Sequence, residues 1–154
     1  MTPSNAVAER LEECFVAFPS RAIVVLYDEA IAALENTARA IEAGDIEARF
    51  FATSRVADVI AVLLDGLDFK EGGEIARGLD VVYRTVMTEL PMINIRNDAA
   101  LTQRLIDILQ PVRDAWAKLD DRIQSDVAIA EALDAPRQRA EMRQRLRVVP
   151  HAAA

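Results

Sequence analysis

Four stretches of this chain carry apolar residues at alternating spacings of three and four, each bounded by a residue that caps or ends helices. A chain patterned this way is driven to pack helices against one another. In the first, Val24, Tyr27, Ile31, Leu34, Ala38 and Ile41 form a heptad seam. Pro19 and Ser20 stand where a helix opens, because proline is tolerated in a first turn and a serine hydroxyl can accept from an orphan amide. Gly44 marks its end, and Asp45 is placed to cap the next helix.

The second stretch, about 45 to 67, carries two rows: Ala52, Val56, Val59 and Leu63, and beside them Ile46, Phe50, Ala57, Ile60, Leu64 and Leu67. A helix with two apolar rows needs two neighbours, or one neighbour and a partner. Asp68 to Gly73 breaks the periodicity, and adjacent glycines carry a large helix penalty. A third helix, about 74 to 93, shows Ile75, Leu79, Val82, Val86, Leu90 and Ile93, with fraying or a kink expected at Pro91. Asn97 and Asp98 offer caps for a fourth, whose row is Leu101, Leu105, Ile108, Val112, Ala115 and Leu119; Pro111 should bend it without stopping it.

Short connections between long helices favour antiparallel neighbours. The fold expected is all-α: an up-down four-helix bundle at residues 20–124, preceded by an N-terminal segment, 1–19, that caps it. Val7, Leu11, Cys14 and Phe18, with Phe15 beside them, give that segment a short amphipathic helix. Residues 125–154 form a C-terminal extension, helical or flexible and partly disordered, with His151 and the final alanines at its end. At 154 residues a single domain suffices, and 52% apolar against 5% aromatic content favours helices over sheets.

Charge excludes several functions. Residues 1 to 136 hold 13 Lys and Arg against 24 Asp and Glu, a balance of −11, and the remainder holds five Arg and one Glu. An acidic body repels phosphate backbones, so nucleic acid is not an expected partner. No run of 18 apolar residues exists for membrane insertion and the N-terminus lacks a signal peptide, which reads as cytoplasmic. One cysteine, Cys14, permits no internal disulfide and fits a reducing compartment. On an apolar face without a nearby histidine it reads as a buried, inert thiol.

No catalytic residue, cofactor or metal site is expected. The single histidine, His151, lies outside the bundle, which removes both di-iron ligation and histidine phosphotransfer. Gly72-Gly73 lacks the lysine and serine or threonine of a phosphate loop. Glu35, Glu42, Asp58, Asp107 and Asp114 are scattered as on any solvated surface, and no acid and base pair can be chosen among them.

Four short motifs stand in a fixed order: Leu26-Tyr27-Asp28 followed by Ala30-Ile31, Gly44-Asp45-Ile46, Lys70 to Ala76, and Arg113-Asp114-Ala115-Trp116. With Pro19 eight residues before Tyr27, Leu79, Asp80 and Tyr83 after the glycines, and Asn94, Ile95, Asn97 and Asp98 beyond, this series resembles the flagellar secretion chaperone family, FliS, over about residues 17 to 119. Glu29 and Phe18 stand where the family often has glycine and serine. No tyrosine precedes Tyr27, so Phe15 or Phe18 takes the part that an N-terminal tyrosine plays in the family.

The resemblance implies an export chaperone that holds the disordered C-terminal segment of flagellin, keeps it from polymerising early and supports flagellar type III export. A disordered client docks apolar side chains into helix grooves and is ordered as it binds. The candidate client-binding residues are Ile23, Tyr27, Ile60, Leu64, Leu67, Tyr83, Met87 and Trp116, each with ordinary core packing as the alternative. Leu11, Phe15 and Phe18, with Val7, are the candidate N-terminal cap over that groove. Other flagellar export or regulatory proteins are possible partners, for the basic tail among others, and the chain is expected to be a monomer or a weak homodimer. The rival reading is a four-helix adaptor or regulatory protein that sequesters a different helical partner.

Overall fold

The computed structural model describes residues 10–15 and 18–147, without the side chain of Pro136. It is a helical bundle of α1 (Ser20–Ala43), α2 (Ile46–Asp65), α3 (Phe69–Arg96) and α4 (Ala99–Arg147). The chain divides into two compact units, Met1–Leu119 and Asp120–Ala154. Helix α4 runs through the boundary, and within the second unit the described residues are helical to Arg147.

Two-residue connections separate α1 from α2 and α3 from α4, and their chemistry explains the helix ends. Gly44 closes α1 in the left-handed conformation, φ 68°, and Asp45 accepts from Ala48 N–H at 2.9 Å to open α2. Asn97, also left-handed, ends α3, and the Asp98 carboxylate caps α4 through Leu101 N–H at 2.8 Å. Pro19 precedes α1 without a side-chain cap; its carbonyl accepts from Ala22 and Ile23 instead. The break between α2 and α3 is shorter than the sequence suggests. Asp68 caps a first turn from Phe69, and the chain then kinks at Gly73, whose φ of 51° and ψ of −127° suit only glycine.

The core of the first unit is built from one face of each helix. On α1 the buried set is Ile23, Tyr27, Ala30, Ile31, Ala33, Leu34, Thr37 and Ala40, a wider face than the heptad seam, with Val24, Ala38 and Ile41 only half-buried. On α3 it is Ala76, Leu79, Tyr83, Val86, Leu90 and Ile93. In α4 the row slips after Leu105: Leu109 and Trp116 turn inward, whereas Ile108 and Ala115 face outward. Both Leu105–Ile108 and Leu105–Leu109 are helical spacings, so periodicity alone could not choose, and the larger indole took the interior. Helix α3 continues past Pro91 to Arg96, beyond the end read at residue 93.

Polar contacts fix the helices against one another. The Tyr27 and Tyr83 hydroxyls share a hydrogen bond of 2.6 Å in the interior, tying α1 to α3. Arg113 donates to both oxygens of Asp28, at 2.7 and 3.1 Å, tying α4 to α1. Asn94 donates to the buried Thr53 hydroxyl at 2.9 Å between α3 and α2. Glu29 and Arg55 pair across α1 and α2.

Candidate functional site

The segment before α1 lies on the connection between α2 and α3. Residues 10–12 are helical, but the helix turns out at Glu13 and Cys14, and Phe15 pairs as extended backbone with Leu67. This corrects the expectation of one amphipathic helix reaching Phe18; Val7 lies outside the described residues. The pairing is short. Asp68 N–H donates to the Cys14 carbonyl at 2.8 Å.

Leu11, Cys14 and Phe15 are buried, and Phe18 is half-buried with its ring 6.5 Å from that of Phe15. Phe15 stands edge-on to Trp116, with ring centroids 5.5 Å apart. Two glycines make room for this cover. A Cβ at Gly66 would come within 2.7 Å of the Phe18 ring, and one at Gly72 within 2.9 Å of Cys14 Cα. Burial pushes the Cys14 thiol from its ordinary 9.0 up to about 11, so it stays protonated and unreactive at neutral pH.

Beside the cover, α2 and α3 form a cleft of about 650 Å³ lined by Ala61, Leu64, Leu67, Phe69 and Met87, with the Asp80–Arg84 ion pair on its wall. Leu67 belongs to both: it contacts the cover and lines the cleft. Phe69 and Met87 are 46% and 38% exposed, too much for side chains that serve only the core.

The candidate residues therefore separate into two groups. Leu64, Leu67 and Met87 share the cleft. Ile23, Tyr27, Ile60, Tyr83 and Trp116 are fully buried, so in this state none of them offers a surface to a partner. Ile60 lies on the same row as Leu64 but is directed inward with Val56, Val59 and Leu63, while Ile46 and Phe50 at the other end of that row are exposed. The sequence reading missed Phe69, which sits in the broken stretch where no periodicity points to it. It also missed the roles of Gly66 and Gly72, whose signal is a small residue facing the aromatic segment. A second exposed apolar area, Ile46, Phe50 and Phe51, lies at the start of α2, with the two rings 6.0 Å apart.

Geometry of this kind suits a binder of apolar helices or peptides. Among the described residues no group of three or more His, Cys, Asp or Glu side chains could hold a metal ion. None of their helices is long and apolar enough to cross a membrane.

The sequence profile described as "Flagellar protein FliS" matches residues 4–123. The chain belongs to the FliS family. It is 33% identical over 107 residues to the flagellar secretion chaperone FliS of Salmonella typhimurium, covering 69% of this chain and 79% of that one. It is 26% identical over 103 residues to the FliS of Vibrio cholerae, with 67% and 76% covered. To the chaperone FliSB of Pseudomonas aeruginosa it is 28% identical over 100 residues, with 65% and 79% covered. Membership in FliS places the chain among flagellar secretion chaperones. The profile match spans the bundle and leaves the arginine-rich end of α4 outside it.

Proposed function

We propose that this chain is a cytoplasmic export chaperone whose client is the C-terminal region of flagellin, held so that it does not polymerise before export. In this reading residues 20–124 are the chaperone domain, and the client enters the α2–α3 cleft with apolar side chains against Leu64, Leu67, Phe69 and Met87. The observation that carries it is the double use of Leu67: the residue that lines the cleft is the one whose backbone pairs with Phe15. A client that extends along the cleft meets the N-terminal cover and replaces it.

Anchors in the cleft alone leave a modest surplus. Ordering a disordered client costs about 2–5 kcal/mol or more, and each fully buried large apolar side chain returns roughly 1.5–3 kcal/mol, so two or three anchors return about 3–9 kcal/mol. Displacing Phe15 opens a further apolar surface on Trp116. Its Nε1–H is buried and has no acceptor among the described residues, and an unsatisfied buried donor costs about 1–3 kcal/mol. A client carbonyl can accept that hydrogen bond. Ile23, Tyr27, Ile60 and Tyr83 are then the frame beneath the site, fixing the spacing of α1, α2 and α3, and do not touch the client.

Competition tests this reading. The chain should prefer a flagellin C-terminal peptide to unrelated amphipathic helices of equal length and charge, and Leu64→Asp or Met87→Asp should abolish the preference with the bundle intact. Equal binding to all such helices would instead favour an adaptor for some other helical partner.

A further inference from the structure

The second unit contains a stretch that the chaperone reading does not use. From Ala135 to Arg147 it holds five arginines, at 137, 139, 143, 145 and 147, against Glu141, a net charge of +4. The stretch is helical throughout, and all five arginines are exposed. Met142 and Leu146 stand among them, 64% and 70% exposed.

Helical position sorts these side chains. At about 100° per residue, Ala135, Met142 and Leu146 fall within about 40° of one another, Arg139, Arg143 and Arg147 follow on one flank at steps of about 40°, and Arg145 stands on the other flank. Arg137 and Glu141 lie on the opposite side. Of the acids between 125 and 147, only Glu131 lies toward this face, a turn before it begins. Asp126 stands about 20 Å along the helix from Arg139, at roughly 1.5 Å per residue, well beyond the Debye length of about 8 Å. Among the described residues no carboxylate forms an ion pair with Arg139, Arg143, Arg145 or Arg147. A cleft of about 510 Å³ lies along Ala132, Ala135, Arg139, Ala140 and Arg143, on the arginine flank.

We propose that this face lies on an anionic phospholipid membrane, in the plane of its surface, with Met142 and Leu146 among the first acyl carbons and Arg139, Arg143, Arg145 and Arg147 on headgroup phosphates. Arginine stems are apolar and their guanidinium groups reach outward, so arginines flanking an apolar centre suit the boundary between acyl chains and headgroups. Each basic side chain at an anionic surface raises partitioning about fivefold, so four of them raise it several hundredfold. Met142 and Leu146, sunk halfway, add about ten- to a hundredfold. Charge and apolar contact are therefore both needed. A nucleic acid would engage the arginines but leave Met142 and Leu146 in water, and the stretch is too short and too charged to cross the bilayer.

Flotation of the full chain with vesicles tests this. Phosphatidylcholine vesicles containing about one-third phosphatidylglycerol should carry the chain at about 50 mM salt, and its partition coefficient should fall at least roughly tenfold at about 500 mM. Vesicles of phosphatidylcholine alone should not carry it. Arg139→Glu with Arg143→Glu and Arg147→Glu should abolish binding, and Met142→Gln with Leu146→Gln should weaken it about tenfold or more. No binding of the unaltered chain to the anionic vesicles overturns the proposal, as does equal binding to both kinds of vesicle or binding that survives arginine reversal. Full binding by the glutamine variant overturns it too, because the arginines then act as charge alone. Poly-glutamate that holds the chain as tightly as the anionic vesicles, at equal charge, overturns it in favour of an acidic protein segment. Circular dichroism checks that the helix persists in each variant, and the salt and lipid response of the unaltered chain stands without any variant. Flagellin-peptide binding should be unchanged throughout, which separates failure of the chaperone reading from failure of this one.

Discussion

The ring of Phe15 lies edge-on to the indole of Trp116, centroids 5.5 Å apart, and this contact joins the N-terminal segment to the last helix of the bundle. An aromatic pair adds about 0.5–1.5 kcal/mol to the area it buries, enough to hold a short segment but not enough to resist a partner with several anchors. Phe15→Ala should therefore free residues 10–15 to hydrogen exchange while α1 to α3 keep their protection. It should tighten flagellin-peptide binding by about tenfold, since 1.4 kcal/mol is a factor of ten. Protection lost throughout the bundle would show that Phe15 is core and not cover.

Gly72 offers a second way to lift the cover. An alanine there would bring Cβ to 2.9 Å from Cys14 Cα and 2.7 Å from Ala76 Cβ, and backbone must move at a cost of about 1–3 kcal/mol. Gly72→Ala combined with Ala76→Gly keeps the first clash and removes the second. Both variants should label faster at Cys14, and equal labelling of wild type and double variant would refute the close approach.

Much of the fold is legible in the sequence because caps and apolar periods agree. Asp45 and Asp98 cap where their residue types suggest, and the apolar seams of α1 and α3 lie on or beside the buried faces. What the sequence hides is contact between distant residues. The apolar rows around Tyr27 and Tyr83 exceed a narrow seam, which makes both candidate anchors, yet their hydroxyls satisfy each other in the interior, a pairing across 56 residues that no local pattern displays. Phe69 and the two cover glycines lie in an aperiodic stretch, where spacing is silent. The motifs Leu-Tyr-Asp and Arg-Asp-Ala-Trp turn out to be halves of tertiary contacts, joined by Asp28 and Arg113.

The tyrosine pair gives a signed prediction. Tyr27→Phe or Tyr83→Phe leaves one buried hydroxyl alone and should cost about 1–3 kcal/mol, whereas the double variant should cost less than the sum of the single ones. Chemical denaturation of the four proteins measures the coupling. Additive losses would mean that the hydroxyls do not bond.

The Cys14 thiol, raised by burial to about 11 in the folded chain from 9.0, ties stability to alkaline pH. Above pH 9 the unfolded chain releases this proton and the folded chain does not, so stability is full below pH 9 and falls between pH 9 and 11. Burial raises Tyr27 and Tyr83 above their ordinary 10.0 as well, adding a fall that begins near pH 10. Cys14→Ala should remove the earlier part of this loss. At neutral pH the same thiol reports the cover: saturating flagellin peptide should raise its labelling rate.

The exposed Asp28–Arg113 pair, despite its two-point geometry, should matter little. Asp28→Asn is expected to cost no more than about 1 kcal/mol, because solvent screens surface ion pairs, and thermal unfolding in low and high salt measures it.

Calorimetric titration with a peptide of about the last 40 residues of flagellin, run on the full chain and on a chain lacking residues 1 to 16, tests the exchange of cover for client most directly. The account predicts stoichiometric binding with a strongly negative heat-capacity change, tighter for the shortened chain. Equal affinity for both chains would contradict displacement of the cover, and no binding by either would contradict flagellin as the client.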